Sequence, residues 1–464
     1  MAENFDLVVI GGGPGGYVCA IRAAQLGQKV AVVERENLGG ICLNWGCIPT
    51  KALLKAAEIY TSIQHAAAFG IKVKGTDVNV KKLIQRSRDV SSQLNMGVGF
   101  LMKKNGITVF EGEGSFKDKS HLVVKKGKKT AHTLKFKNAV IATGARAKEI
   151  PGVLEADHKN IWTYRDAMVP EKLPKSLLVI GAGAIGIEFA SFYNALGCHV
   201  QIVEGVDRIL PIEDKEISKR AQKSLEKQGM EINTSAKVLG LKSGRSVEAE
   251  LEINGKKQKK KYDKALLSIG IQANIEGVGL DKIDVRTDKG FVKVDEYYQT
   301  NVPGIYAIGD VIATPALAHV ASHEGVIAAE YIAGGHPHAM NYDHIPGCTY
   351  CTPQVASIGL TEEAAKERGI DLKIGRYDYK ANGKALAIGE NEGLVKTLFD
   401  KNTGALVGAH IVGAEATEMI SSFIVALQLE STEEDLIHAC LPHPTLSEMI
   451  GESVLDSEGR VINA

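Results

Sequence analysis

The chain has 464 residues, 44% hydrophobic and 24% charged, with Lys+Arg and Asp+Glu equal at 55 each. It is too long for one ordinary core, so three or four domains are expected, and the zero net charge gives no global field to attract nucleic acid or a membrane surface. No apolar run reaches membrane-spanning length, the start MAENFDLVVIGGG lacks the pattern of a signal or transit peptide, and seven cysteines without a dense framework suit a reducing compartment, so a soluble cytoplasmic protein is expected.

Phe5 to Ile10 is a short apolar run of the kind a buried parallel strand uses. It enters GGGPGG, where Gly11, Gly13 and Gly16 satisfy G-x-G-x-x-G. The pattern then predicts a helix over Tyr17 to Leu26 and a second strand over Lys29 to Val33, ending at Glu34, 18 residues after Gly16. Glycines there permit a tight turn and close approach to a pyrophosphate at a helix N-terminus, and an acid at that offset accepts from a ribose hydroxyl. The ordered set is far more specific than the glycines alone.

GGICLNWGCIPTK follows directly, with Cys42 and Cys47 five positions apart. Five positions of regular helix span about 7.5 Å of rise, beyond the roughly 4.4–6.8 Å between Cα atoms that a disulfide tolerates. A bridge here requires the backbone to leave ideal helix, which Gly46 and Pro49 permit. Two readings stay open on spacing alone: a labile redox disulfide, or two reduced cysteines packed in a core. A structural zinc site needs two further ligands that are not nearby. The adjoining dinucleotide unit moves the balance to redox.

Residues 52–104 read as helical, with apolar spacing at Leu53, Leu54, Ala57 and Ile59. Ile107 to Phe110 and Leu122 to Val124 are expected as strands of an inserted antiparallel sheet. Asn138 to Ala145 is expected to close the cofactor sheet, its strand ending in Thr143-Gly144.

A second copy begins at the strand Leu177 to Ile180 and runs into GAGAIGIE, with Gly181, Gly183 and Gly186. A helix to Leu196 and a strand over His199 to Val203 lead to Glu204, again 18 residues after the last glycine. A carboxylate there accepts from a ribose 2′-OH and repels a 2′-phosphate, and no arginine follows immediately, which favours NAD over NADP. Ala265 to Gly270 resembles the earlier closing strand. Lys256 to Lys261, five lysines and a glutamine, reads as a solvated hairpin tip rather than an anion-binding patch.

Gly304 to Asp310 is an apolar strand aimed back at the first cofactor, with Asp310 at its end, and a helix is predicted over Leu317 to Ala333 with Ala318 and His319 in its first turn. His319 reads as a packing or capping residue. Further on, Val355 to Ile358, Leu394 to Phe399 and Ala405 to Ile411 are strand-like. Ala416 to Gln428 is an amphipathic helix, whose face of Met419, Ile420, Phe423, Ile424 and Leu427 suits either core or a subunit interface. Cys348 and Cys351 have no partner pair and read as structural. In HPTLSE, Thr445 and Glu448 fit a capping box, and Glu448 is also spaced to orient and charge the His443 imidazole as a general base.

The expected fold is α/β: two Rossmann-like dinucleotide-binding domains and a C-terminal α+β domain. The boundaries fall at 1–145, 146–272, 273–341 (completing the first site) and 342–464.

The cysteine stretch, the doubled fingerprint and HPTLSE together resemble the pyridine nucleotide–disulfide oxidoreductases over nearly the whole chain, and most of all their dihydrolipoamide-oxidising members. That resemblance implies FAD in the first unit, NAD in the second and a homodimer built on the last domain. It implies that Cys42 is the interchange sulfur and Cys47 the sulfur beside the flavin. Lys51 is then placed near the flavin and paired with Glu188, and His443 with Glu448 serves the active site of the other subunit. Gly114, Thr143, Gly144, Asp310 and Ala318 are assigned to FAD, and Val238 and Gly270 to NAD. No metal is implied. The expected partner is the lipoylated acyltransferase or H-protein of a 2-oxo acid dehydrogenase or glycine cleavage complex. Glutathione reductases usually carry NADPH-binding arginines near Gly205 and Val206, mercuric reductases a C-terminal cysteine pair, and soluble transhydrogenases lack the redox pair; this chain differs from all three. One departure is Ile271, where many members have arginine after the glycine.

Overall fold

The computed structural model describes residues 2–463. The chain divides into two compact units. One is Met1–Ala52, Lys81–Lys148 and Ile271–Met340; the other is Leu53–Val80, Glu149–Gly270 and Asn341–Ala464.

In the first unit, β1 (Glu3–Ile10), α1 (Pro14–Gln25) and β2 (Val30–Glu34) form the first βαβ half-turn. After them come α2 (Gly40–Trp45) and α3 (Cys47–His65), then α4 (Val80–Lys104). The sheet order is β3-β2-β1-β6-β5-β4, with β3 (Thr108–Glu111), β4 (Glu113–Asp118), β5 (His121–Lys126) and β6 (Lys129–Ile141). Leu7, Val8 and Val9 are fully buried, as a strand covered on both faces requires. The 13-residue β6 has two roles. Its first part pairs antiparallel with β5, and from Leu134 onward it pairs parallel with β1. The strand Ile305–Ala307 lies parallel against Ala139–Ile141, so the returning segment does complete the first sheet. Its helix, Ala318–Ile332, packs against α1.

Two expectations need correction. β3 belongs to the parallel sheet beside β2, because its residues Thr108 to Glu111 pair in register with Ala31 to Glu34; only β4, β5 and the start of β6 form the antiparallel insertion. The 52–104 stretch is not one helical run. α3 ends at His65, Ala66–Phe69 is a 3-10 turn, and the chain stays irregular to Asn79. Gly70 and Gly75, at φ 78° and 67°, hold left-handed conformations that no helix continues through.

In the second unit, a parallel sheet runs in the order Glu231–Asn233, His199–Val203, Ser176–Ile180, Lys264–Leu267, Ile161–Trp162. The helix Ala184–Ala195 follows its central strand. A three-stranded meander, Lys237–Ser243, Val247–Ile253 and Lys256–Tyr262, packs alongside. The lysine run is the last strand of this meander, beyond the turn at Asn254-Gly255. Lys257, Lys259 and Lys261 stand opposite Glu252, Glu250 and Glu248, and Lys260 pairs with Glu231 at 2.9 Å. Its charge is thus met within the unit.

The C-terminal part is a five-stranded antiparallel sheet, Gly347–Thr349, Gln354–Gly359, Leu406–Gly413, Leu394–Asp400 and Leu372–Asp378 in spatial order. The helices Ala416–Gln428 and Glu448–Ser457 pack on it. Met419, Ile420, Phe423 and Leu427 are buried in that core, which settles the amphipathic face as intrachain packing; Val425 and Leu429 look outward. Among the described residues, no helix is long and apolar enough to cross a membrane.

Candidate active site

The first fingerprint is a floor of bare backbone. At Gly11 (φ 106°) a Cβ would stand 2.1 Å from the Ala142 carbonyl oxygen, and at Gly16 it would stand 1.9 Å from that of Gly11. Only glycine lets β1, β6 and α1 close this tightly. Gly13 caps α1, with Pro14 in the first turn. The Glu34 carboxylate braces the loop: Oε2 accepts from the Gly12 N–H and Oε1 from the Glu36 N–H, both at 2.7 Å. Gly114 lies in β4, where a Cβ would press on Ile10 and Val33 at 3.0 and 3.3 Å. After β6, Gly144 turns at φ 65°, while the Thr143 hydroxyl donates to the Asn274 carbonyl and the Asn274 amide returns a bond to that of Thr143. A side-chain-free cradle facing a helix N-terminus fits the pyrophosphate of a dinucleotide.

Asp310 sits in the short turn Gly309–Val311, and Ala318 is the first residue of the returning helix. Burial, with Glu324 nearby, pushes the Asp310 carboxyl up to about 6. Glu324 is fully buried and accepts from the Gly309 N–H at 2.6 Å and the Thr314 hydroxyl at 2.8 Å, fixing the turn that carries Asp310.

The second fingerprint repeats these contacts. A Cβ on Gly181 (φ 97°) would meet the Ser268 carbonyl oxygen at 2.4 Å, and one on Gly186 the Gly181 oxygen at 2.1 Å. Gly183 caps the helix Ala184–Ala195, and Glu204 accepts from the Ala182 and Val206 N–H groups at 2.6 and 3.0 Å. Gly270 holds φ 115°. Val238, half-buried, lies where the meander's register shifts, opposite Leu251. Arg208, the first arginine after Glu204, is paired with Glu363 at 2.7 Å. No guanidinium in that turn is left to hold a 2′-phosphate.

The cysteine stretch bends where expected. Gly39 enters α2 at φ 84°, and Gly46 breaks the helix at φ −143°, ψ −117°, so α3 starts afresh at Cys47. Gly46 carries the departure; Pro49 sits in the first turn of α3, where no amide partner is needed. The Thr50 hydroxyl donates back to the Gly46 carbonyl at 2.7 Å. Cys42 and Cys47 are thiols in hydrogen-bond contact. That bond, burial and the neighbouring sulfur all raise the Cys42 pKa, while the charge of Lys51 pulls it back. Lys51 lies four residues after Cys47 on the same helix face. The sequence reading missed Asn44, Arg88 and Asn95, which hold this stretch from within and from α4. Asn44 lies inside the motif, but nothing in the spacing marks Arg88 or Asn95 as its partners.

In the second unit, His443 Nδ1 lies 2.9 Å from Glu448 Oε1, and the imidazole is 80% exposed. Half of the expected capping box forms. Glu448 Oε2 accepts from the Thr445 N–H at 2.9 Å, but the Thr445 hydroxyl turns to the Pro442 carbonyl, and Ser447 is the N-cap. The Thr445 bond, then that of His443, holds the Glu448 carboxyl below its ordinary range. Glu188 is buried in the helix Ala184–Ala195, its Oε1 accepting from the Tyr350 N–H at 3.0 Å.

Comparison with known proteins agrees with this geometry. Residues 5–325 match the pyridine nucleotide-disulphide oxidoreductase family, and residues 345–454 match that family's dimerisation domain. The dihydrolipoyl dehydrogenases of Rhizobium etli and Bacillus subtilis are 52% and 44% identical to this chain, each alignment covering 100% of both sequences. LpdA of Mycobacterium tuberculosis shares the fold, with a TM-score of 0.90 at 24% identity over 97% of this chain and 99% of its own. With its doubled dinucleotide cradle and paired thiols, the chain belongs to the pyridine nucleotide-disulphide oxidoreductase family.

Proposed function

We propose that this enzyme oxidises protein-bound dihydrolipoamide to lipoamide and reduces NAD+. The observation that carries the reading is the Cys42–Cys47 pair at the Gly46 break, built into the same unit as the first glycine cradle. We assign the domains as 1–145, 146–272, 273–341 and 342–464.

With Nδ1 of His443 engaged by Glu448, Nε2 is the basic nitrogen and takes the proton of a substrate thiol. The thiolate attacks Cys42 Sγ of the oxidised pair, and Cys47 Sγ leaves as thiolate. The second substrate thiol loses its proton to solvent and attacks the substrate sulfur of the mixed disulfide. Lipoamide departs, and Cys42 Sγ recovers a proton from His443. What FAD supplies when bound is a two-electron path from this dithiol to NAD+. Gly11, Gly13, Gly16, Glu34, Gly114, Thr143, Gly144, Asp310 and Ala318 hold FAD. Gly181, Gly183, Gly186, Glu204, Val238 and Gly270 hold NAD. Lys51 stabilises negative charge at the flavin, with Glu188 as its counter-charge. The dimerisation-domain match supports a homodimer, and the full-length dihydrolipoyl dehydrogenase relatives support work in a multienzyme complex. In our reading His443 serves the other subunit, the partner is a lipoylated acyltransferase or H-protein, and the complex is cytoplasmic.

Purified protein is expected to be yellow and to gain a long-wavelength thiolate–flavin band on anaerobic addition of NADH. Cys47→Ser should abolish that band; its persistence would reverse the assignment of the two sulfurs. His443→Gln should cut lipoamide turnover by roughly 10²-fold, and unchanged turnover would remove His443 from the mechanism.

A further inference from the structure

The break at Gly46 has a cost for α2. A helix that stops at Trp45 leaves the carbonyls of its last turn without the amides a continuing helix provides. One of them is capped from far along the chain: Arg88 of α4 donates to the Asn44 carbonyl at 2.6 Å. The same guanidinium lies 4.9 Å from the centroid of the Trp45 ring, and the Trp45 indole donates to Glu36 at 2.8 Å. Two turns along α4, Asn95 donates to the Leu38 carbonyl at 2.7 Å, which the Asn44 side chain also reaches at 3.0 Å. Residues 88 and 95 are seven apart and share a helix face. α4 therefore grips the redox stretch on both sides of Cys42, before it at Leu38 and after it at Asn44. The mechanism above uses neither contact.

We propose that Arg88 is a positioning residue of the redox centre: by capping the Asn44 carbonyl and stacking on Trp45, it fixes the end of α2 against the start of α3 and holds Cys42 Sγ within reach of Cys47 Sγ. The inference rests on the reading of Cys42 and Cys47 as the redox pair. Its physical basis is effective concentration. In exchange with glutathione disulfide, the two cysteine thiols give up an electron pair and two protons, one sulfur–sulfur bond forms between them, and two glutathione thiols are released. The equilibrium is set by how much of the time the two thiols lie within reach. Freeing the end of α2 spreads their separations and makes the bond harder to close. Arg88 has the right chemistry for this task, since its planar fork donates to a carbonyl while its face lies on an aromatic ring.

The test uses the holoenzyme, with Arg88→Met and Arg88→Lys. Each protein is equilibrated in glutathione redox buffers, and free thiols are trapped by alkylation and counted on the Cys42 and Cys47 peptides by mass spectrometry. Arg88→Met should shift the equilibrium toward dithiol about tenfold, which for this two-electron couple is about 30 mV. Arg88→Lys keeps the charge and one donor but loses the stack, and a shift of at least about threefold is expected. At a given glutathione potential the thiolate–flavin band, which belongs to the dithiol form, should rise in parallel with the dithiol fraction while FAD content stays full. If Arg88→Met does not fold, the lysine variant decides. An equilibrium and band equal to the unsubstituted enzyme's in a folded, FAD-replete variant overturn the proposal. Failure of the unsubstituted enzyme itself to oxidise Cys42 and Cys47 in the glutathione buffers would strike the redox reading instead, so the two failures are distinct.

Discussion

Gly186→Ala and Gly183→Ala place one methyl group three residues apart in the second fingerprint, and the structure predicts different outcomes for them. On Gly186 the new Cβ would stand 2.1 Å from the Gly181 oxygen and 2.7 Å from Ser268 Oγ. Ordinary contacts lie near 3.5 Å, so the start of the helix Ala184–Ala195 must retreat by more than about 1 Å. Overpacking of this kind costs about 1–3 kcal/mol, and a displacement of about 1 Å in a positioning element costs on the order of 10²-fold in rate. On Gly183, at φ −73°, the Cβ meets nothing within 4 Å. The cost there is only the weaker N-cap preference of alanine, below about 1 kcal/mol. The methyl does, however, stand where we place the approach of the pyrophosphate. Denaturant unfolding without NAD should show a clear loss for Gly186→Ala and a smaller one, below about 1 kcal/mol, for Gly183→Ala. Rapid-mixing kinetics should show a raised NAD+ requirement for both, with reduction by dihydrolipoamide unchanged, since Cys42 and Cys47 belong to the other unit. If Gly186→Ala keeps full stability and full NAD+ affinity, the packing argument is wrong. If both half-reactions fail equally, the assignment of this fingerprint to NAD is wrong.

Three further outcomes are expected. Lys396 is buried, with Nζ 2.8 Å from both Asp214 and Glu362, and Lys396→Met should lower unfolding stability by about 3–5 kcal/mol by stranding the buried Asp214 carboxylate; a loss below about 1 kcal/mol in urea titration would contradict this. Glu448→Gln should lower lipoamide turnover by at least about tenfold. Because the folded Glu448 pKa lies below its ordinary 4.5, its stabilising effect is present above that pH and fades as pH falls through the folded value, so the unfolding curves of wild type and variant should converge in acid. Asp310 behaves in the opposite sense. Its carboxyl is raised from 3.8 to about 6, so stability of the FAD-stripped protein is lost as pH rises through that window. Asp310→Asn should melt higher than wild type at pH 8 and alike near pH 3.5; equal melting at both would refute the raised value.

What was legible in the sequence was local. Each fingerprint packs strand, turn, helix and acid into some thirty residues, and the glycines at 11, 16, 181 and 186 are required by contacts as close as 1.9–2.4 Å that tolerate no side chain. The Gly46 break could likewise be inferred from the distance a disulfide must span, and the His443–Glu448 pair from five-residue spacing. Errors arose where a partner lay elsewhere in the chain. β3 has the same apolar residues whether it pairs parallel or antiparallel, and only its register against β2 decides. One miss was local: the Thr445–Glu448 pattern fits a capping box, but the Thr445 hydroxyl donates to the Pro442 carbonyl three residues back and leaves only half of it.

The amino-acid sequence by itself therefore located the groups from which we read the chemistry: two glycine cradles, a cysteine pair and a histidine–glutamate pair, each encoded by spacing within one segment. Tertiary structure alone decided what holds that chemistry in place. Arg88 reaches Asn44 across 44 residues, Glu324 fixes the Asp310 turn, and Tyr350 meets Glu188 across 162. Such contacts carry no periodic signature, because a side chain that satisfies a distant carbonyl or carboxylate is chosen by where the fold brings it, not by its neighbours in sequence.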